Sequence, residues 1–185
     1  VALFFGVITP YKGLEVLLRA TAALRSGQGP VKLIIAGKVD KGFETYWEAL
    51  QALMETHDLK GLLVERIGYI PDGDVEVYFK AADVLVLPYK HIYQSGVLFL
   101  AFHFGLPVIA SDVGSLREYV TEDRTGFVCR PEDPDDLAGT IERYFGSPLY
   151  KDLELTRREI IRRAARDYSW DAIGQKTAAV YGALS

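Results

Sequence analysis

Short apolar runs alternate along this chain with longer stretches in which apolar residues recur every three or four positions. The runs at Ala2–Phe5, Val31–Ala36, Leu63–Ile67, Val84–Leu87 and Val108–Ala110 are β-branched or Leu-rich and bounded by Gly, Pro or Asp, which predicts strands. Between them, Leu14, Leu17, Leu18, Thr21 and Leu24 share one helical face. Trp47, Leu50 and Met54 mark a second helix, Val75 to Ala81 a shorter third, and Gly96 to Phe104 a nearly all-apolar fourth that should be buried. Thr125 to Val128 reads as a sixth, edge strand. Asp133 to Asp136 offer capping carboxylates, and Pro134 suits the first turn of a helix running through Tyr144. Two more helices, Leu149 to Ala165 and Trp170 to Leu184, end the chain. The alternation predicts an α/β fold, a Rossmann-like parallel sheet with helices on both faces.

Ligands of such sheets gather outside the carboxyl ends of the strands. The segments to inspect are therefore Gly6 to Gly13, Gly37 to Phe43, Gly68 to Pro71, Tyr89 to Ser95 and Ser111 to Ser115, each with a glycine or small polar residue. The first is the most informative. It joins an apolar strand to a helix and carries Lys12 beside Gly13, so first-turn amides, the positive end of the helix dipole and a full charge fall together. That is an anion site, best suited to a phosphate. An exposed surface lysine is the ordinary alternative for Lys12. Ser95 and Gly96 open the fourth helix, where Ser95 could serve simply as an N-cap. Asp72-Gly73-Asp74 imitates a metal-binding pair, yet turn and cap chemistry accounts for it better, and His57, His91 and His103 lack ligand spacing. Arg157, Arg158, Arg162, Arg163 and Arg166 read as a solvated helix face.

Composition narrows the class. With 185 residues, 49% of them hydrophobic, one domain can bury a full core. The formal charge of −4 disfavours nucleic acid and anionic membrane as general partners, so an anionic ligand must be held locally. Cys129 is the only cysteine, which excludes an intramolecular disulfide and fits a reducing, cytoplasmic setting. No apolar run reaches the roughly 18–20 residues that span a bilayer. Val1 already lies inside a strand, and the chain reads as a piece of something longer.

Taken together, these segments resemble the C-terminal nucleotide-sugar-binding domain of the group 1 family of GT-B glycosyltransferases. Phe4-Phe5-Gly6 with Lys12-Gly13 is similar to that family's first phosphate loop, and Leu33 to Gly37 to its second strand and turn. Gly68-Tyr69-Ile70-Pro71, Ala81-Ala82-Asp83-Val84 and Leu87-Pro88 resemble the stretch that holds the base. Gln94-Ser95-Gly96-Val97, Gly105 to Ser111, Gly114, Glu118, Thr125 to Val128 and Ser169-Trp170-Asp171 follow in family order.

The resemblance implies one donor-binding domain over residues 1–185. Residues 169–185 would form a helix that packs on an N-terminal acceptor domain absent here. It implies glycosyl transfer from a nucleotide-diphosphate sugar with retention, no metal and no cofactor besides that donor, and membrane contact, if any, through the absent part. Lys12 is the expected catalytic group. Gly6, Thr9, Lys12, Gly13, Gly37, Tyr69, Ile70, Gln94, Ser95, Gly96, Val97 and Glu118 are the expected donor-binding residues. Two departures stand out. Val7 and Thr9 occupy positions where members carry an Arg, and no carboxylate occurs from Lys90 to Ser111, where members carry a Glu pair. They leave open an alternative, a catalytically inactive nucleotide-binding or regulatory module. A dinucleotide-dependent oxidoreductase would need Gly-x-Gly-x-x-Gly after its first strand, which is missing.

Overall fold

The computed structural model describes residues 1–24 and 30–182. Six strands, β1 (Ala2–Phe5), β2 (Leu33–Gly37), β3 (Leu63–Ile67), β4 (Val84–Leu87), β5 (Val108–Ser111) and β6 (Gly126–Cys129), form one sheet in the order β3-β2-β1-β4-β5-β6. Every pairing is parallel. Period-2 alternation then splits each central strand between two cores. Phe4, Leu33, Ile35, Val84, Val86 and Ile109 face one layer, while Leu3, Ile34, Ala36, Leu85, Leu87, Val108 and Ala110 face the other.

Helices α1 (Leu14–Leu24), α2 (Glu44–Thr56) and α6 (Pro134–Gly146) cover the first face. On the other lie α3 (Asp72–Ala81), α4 (Gly96–His103), the single turn α5 (Leu116–Tyr119) and α8 (Leu153–Tyr168). Asp133 caps α6 by accepting from the Asp136 amide, with Pro134 in the first turn, as the sequence predicts. The expected edge occurs at β6. Strand β6 ends the sheet on one side, and β3 ends it on the other with Glu65 and Arg66 exposed, charges that discourage further pairing.

Three expectations change. The helix predicted from Leu149 to Ala165 is broken into α7 (Pro148–Lys151) and α8, separated by Asp152. Helix α4 is only partly covered: Leu98, Ala101 and Phe102 are buried, whereas Val97, Phe99 and Leu100 are half-exposed. Phe99 is partnered by the ring edges of Tyr119 and Tyr168, so α4 leans on α5 and α8 and is not enclosed. The supposedly solvated Arg157 is half-buried in the α8 face, and its guanidinium donates to Phe79 O and Ala82 O at the end of α3 and to Phe104 O at the end of α4. The last helix, α9 (Trp170–Gly182), packs on α8. Its expected extension to Leu184 lies outside the described residues.

Candidate functional site

Strand order reverses between β1 and β4, so the loops after these two strands flank the crevice in which open α/β sheets bind ligands. The first loop, from Gly6 to Gly13, is tied down on both sides. Towards β2, Gly6 N–H donates to Ala36 O and Ile8 N–H to Lys38 O, while Asp40 N–H donates back to Ile8 O. Towards β4, Lys90 N–H donates to Tyr11 O. The loop ends in one 3-10 turn, Pro10–Lys12, and Gly13 then takes φ +65° to launch α1.

Gly13 is required by that conformation and by a close approach of its own chain. A Cβ there would lie 2.1 Å from Pro88 O, so the glycine also serves loop-to-loop packing. Gly37 is similar: a Cβ would stand 1.9 Å from Gly6 O. Gly6 differs. The atom nearest a Cβ at this position is the Lys12 Nζ, 2.9 Å away, followed by Val97 Cγ2 at 3.7 Å, so the bare glycine leaves room for the ammonium and borders the start of α4.

Lys12 is 6% exposed and has no carboxylate within ion-pair distance among the described residues. Burial holds its ammonium below the usual lysine value. The neighbouring cation, Lys90, is committed to Glu15 at 2.5 Å, and Tyr46 donates to the other Glu15 oxygen. Lys12 instead sits over the ring of Tyr89, with Nζ 5.7 Å from the centroid. Ser95 occupies the N-cap position of α4 but makes no cap hydrogen bond, so the first amides of the helix stay open. Burial raises the pKa of the nearby Tyr89 phenol to about 12. Lys12, Gly6, Tyr89, Ser95, Gly96 and Val97 thus share one crevice.

The other expected residues are placed less centrally. Thr9 is in the same loop and almost fully buried, and its Oγ1 has no hydrogen-bond partner. Gln94 is exposed beside Ser95. Tyr69, 71% exposed, projects from the end of β3, two strands from β1. The Ile70 side chain is 9% exposed and belongs to the core with Phe79, which leaves its backbone as the part that faces a ligand at the end of β3. Glu118 is exposed on α5, and no bond or ion pair links its side chain to the Lys12 crevice. Its loop is nonetheless joined to the β4–α4 loop, because the Ser115 N–H and hydroxyl both donate to Tyr93 O. Asp72 and Asp74 lie in the first turn of α3, where negative charge complements the helix dipole.

Sequence reasoning missed Tyr89 and the Glu15–Lys90–Tyr46 cluster. The only signal for Tyr89 was an aromatic residue directly after Leu87-Pro88, at the end of a central strand. An open groove of about 820 Å³ lies at the opposite end of the sheet, between the loop before β6 and α8. Its charges are mixed, and its Arg163 and Arg166 pair with Asp167.

Known proteins bear on this geometry. An uncharacterized glycosyltransferase of Methanocaldococcus jannaschii is 31% identical over 97% of this chain and 44% of its own length. A D-inositol 3-phosphate glycosyltransferase of Streptosporangium roseum is 30% identical over all of this chain and 43% of its own length. The chain therefore spans less than half the length of these relatives. Among solved structures, Anabaena HepE in complex with UDP superposes with a TM-score of 0.81 at 19% identity, covering 98% of this chain and 48% of that one, which establishes the shared GT-B half-fold. The family model for glycosyl transferases group 1 matches residues 1–146, and on that match the chain belongs to the group 1 glycosyl transferases.

Proposed function

We propose that this chain is the donor-binding half of a glycosyltransferase, which holds a nucleotide-diphosphate sugar in the β1/β4 crevice while a further N-terminal domain supplies the acceptor site. One observation carries the reading: a buried lysine that has no carboxylate partner among the described residues faces the uncapped start of a helix at the switch point of a parallel sheet. An unneutralised cation beside open amides is complementary to a diphosphate. The likeness to HepE, which has been solved with UDP and with UDP-glucose, supports the same ligand class.

The chemistry follows from charge. As the glycosidic bond to the diphosphate breaks, negative charge grows on the leaving phosphate and the anomeric carbon approaches an oxocarbenium ion. Lys12 and the α4 amides are fixed where that charge accumulates, which lowers the barrier without reorganisation. Tyr69 is available to the base at the β3 end. Gln94, in the absence of a nearby carboxylate, is the side chain available to the sugar.

Calorimetric titration with UDP, GDP, ADP and their sugar conjugates tests the reading. At least one should bind, and Lys12→Ala should weaken that binding by about 1.5–3 kcal/mol, the range for a hydrogen bond to a charged group. Failure of every nucleotide to bind would remove the donor site. Nucleotide binding without transfer by the full-length protein would favour the regulatory alternative.

A further inference from the structure

A buried lysine that must meet a diphosphate poses a positioning problem. A carboxylate would fix the ammonium but also neutralise it and compete with the ligand. Leaving it unsupported would let a four-carbon side chain sample many rotamers. Here the group beside the ammonium is the face of Tyr89, 5.7 Å from Nζ to centroid, and an aromatic face attracts a cation without cancelling its charge. The tyrosine is itself immobile. It is 1% exposed, its ring meets the edge of Tyr11 at 6.2 Å, and Pro88 before it is wedged against Gly13.

The other half of the crevice is the start of α4. Ser95 stands at its N-cap, where a serine hydroxyl ordinarily bonds the helix amides, yet its side chain makes no such bond, so the helix start is open to an anion.

We propose that Tyr89 is a positioning residue of the donor site, its ring fixing the Lys12 ammonium beside the open start of α4, so that cation and helix start act on one phosphate as a unit. The proposal rests on the donor-site reading. It makes the β4-to-α4 loop part of the phosphate machinery through a residue that is itself almost inaccessible to ligand. Tyr89→Phe keeps the ring over the ammonium, and Tyr89→Leu removes it.

The test is a double-mutant cycle between Tyr89 and Lys12, read by calorimetry with whichever of UDP, GDP and ADP binds tightest, on variants whose thermal melts confirm folding. Tyr89→Leu should weaken binding about tenfold or more, and Lys12→Ala with Tyr89→Leu should bind no more weakly than Lys12→Ala alone, because both changes remove the same interaction. Tyr89→Phe, which keeps the ring, should bind nearly as well as the wild type. A second readout needs no nucleotide: the ring current of Tyr89 should displace the Lys12 ε-methylene proton resonances upfield in the wild type and in Tyr89→Phe, but not in Tyr89→Leu. Additive losses in the cycle, or undisplaced Lys12 resonances in the wild type, would overturn the role of Tyr89 while leaving nucleotide binding intact. A wild type that binds no nucleotide would overturn the donor-site reading, and this proposal with it.

Discussion

Burying the Lys12 ammonium without a carboxylate opposes folding and favours an incoming anion, so the same atom should pull stability and affinity in opposite directions. Lys12→Met should stabilise the ligand-free chain by about 0.5–2 kcal/mol in urea melts, as expected when a strained functional group is replaced by a packing one, while nucleotide affinity falls. Unchanged or lower stability would show that the ammonium carries no desolvation cost. The pH dependence has the matching sign. Because the native Lys12 value lies below its ordinary 10.5, the unfolded chain holds more protons between the two values. In that window stability should rise with pH as nucleotide affinity declines, earlier than an exposed lysine would allow. The flanking glycines separate site from scaffold. Gly13→Ala drives a Cβ into a backbone carbonyl and should cost about 3 kcal/mol or more in stability. Gly6→Ala meets only the flexible end of Lys12, at a backbone φ of +109°, and should cost about 1–3 kcal/mol of backbone strain, with a further loss of nucleotide affinity as the ammonium is displaced.

At the scale of elements, strands and helices were legible wherever one local rule decided them. The β-branched runs became β1 to β6, and Asp133 with Pro134 marked the start of α6. What local pattern does not encode is the partner across space. The reason for Gly13 is Pro88, and the reason for Gly37 is Gly6, contacts that exist only once the loops are brought together. Lys12 and Ser95 were legible as separate anion-binding features, but Tyr89, whose ring lies under the Lys12 ammonium, was not, because a buried aromatic after a strand reads as core. Arg157 shows the same limit. Helical spacing places it among exposed arginines, whereas the open carbonyls at the ends of α3 and α4 turn it into a shared C-terminal cap. Arg157→Leu should keep the aliphatic packing, strand those carbonyls, and destabilise the chain by about 2–3 kcal/mol, the scale of hydrogen bonds to a charged group. Arg158→Leu, one position along on the exposed surface, should change stability by no more than about 0.5 kcal/mol, and paired denaturant melts would reveal whether the two differ.

For the whole molecule, the sheet is covered on both faces by the chain's own helices, whereas the C-terminal helix leaves apolar side chains exposed. Helix α9 is 13 residues long, close to the length at which an isolated helix is marginal in water, and it leaves Ile173 and Val180 at 43% and 62% exposure while packing on α8. The chain spans less than half of its relatives, so the proposed N-terminal domain is the natural cover for this face and the natural source of the acceptor site. Hydrogen exchange on this chain alone should therefore show α9 amides exchanging far ahead of those in β1 and β4, whose protection should approach the global unfolding free energy. In the full-length protein the α9 amides should become protected together with the domain interface. The same division should appear in function. This chain should bind its nucleotide with the affinity set by Lys12 and α4, yet turn over poorly, because transfer requires an acceptor held against the donor and water excluded by closure of two domains. Transfer by this chain alone at the full-length rate, or α9 amides as protected here as those of β1, would place the proposed N-terminal domain outside the catalytic unit.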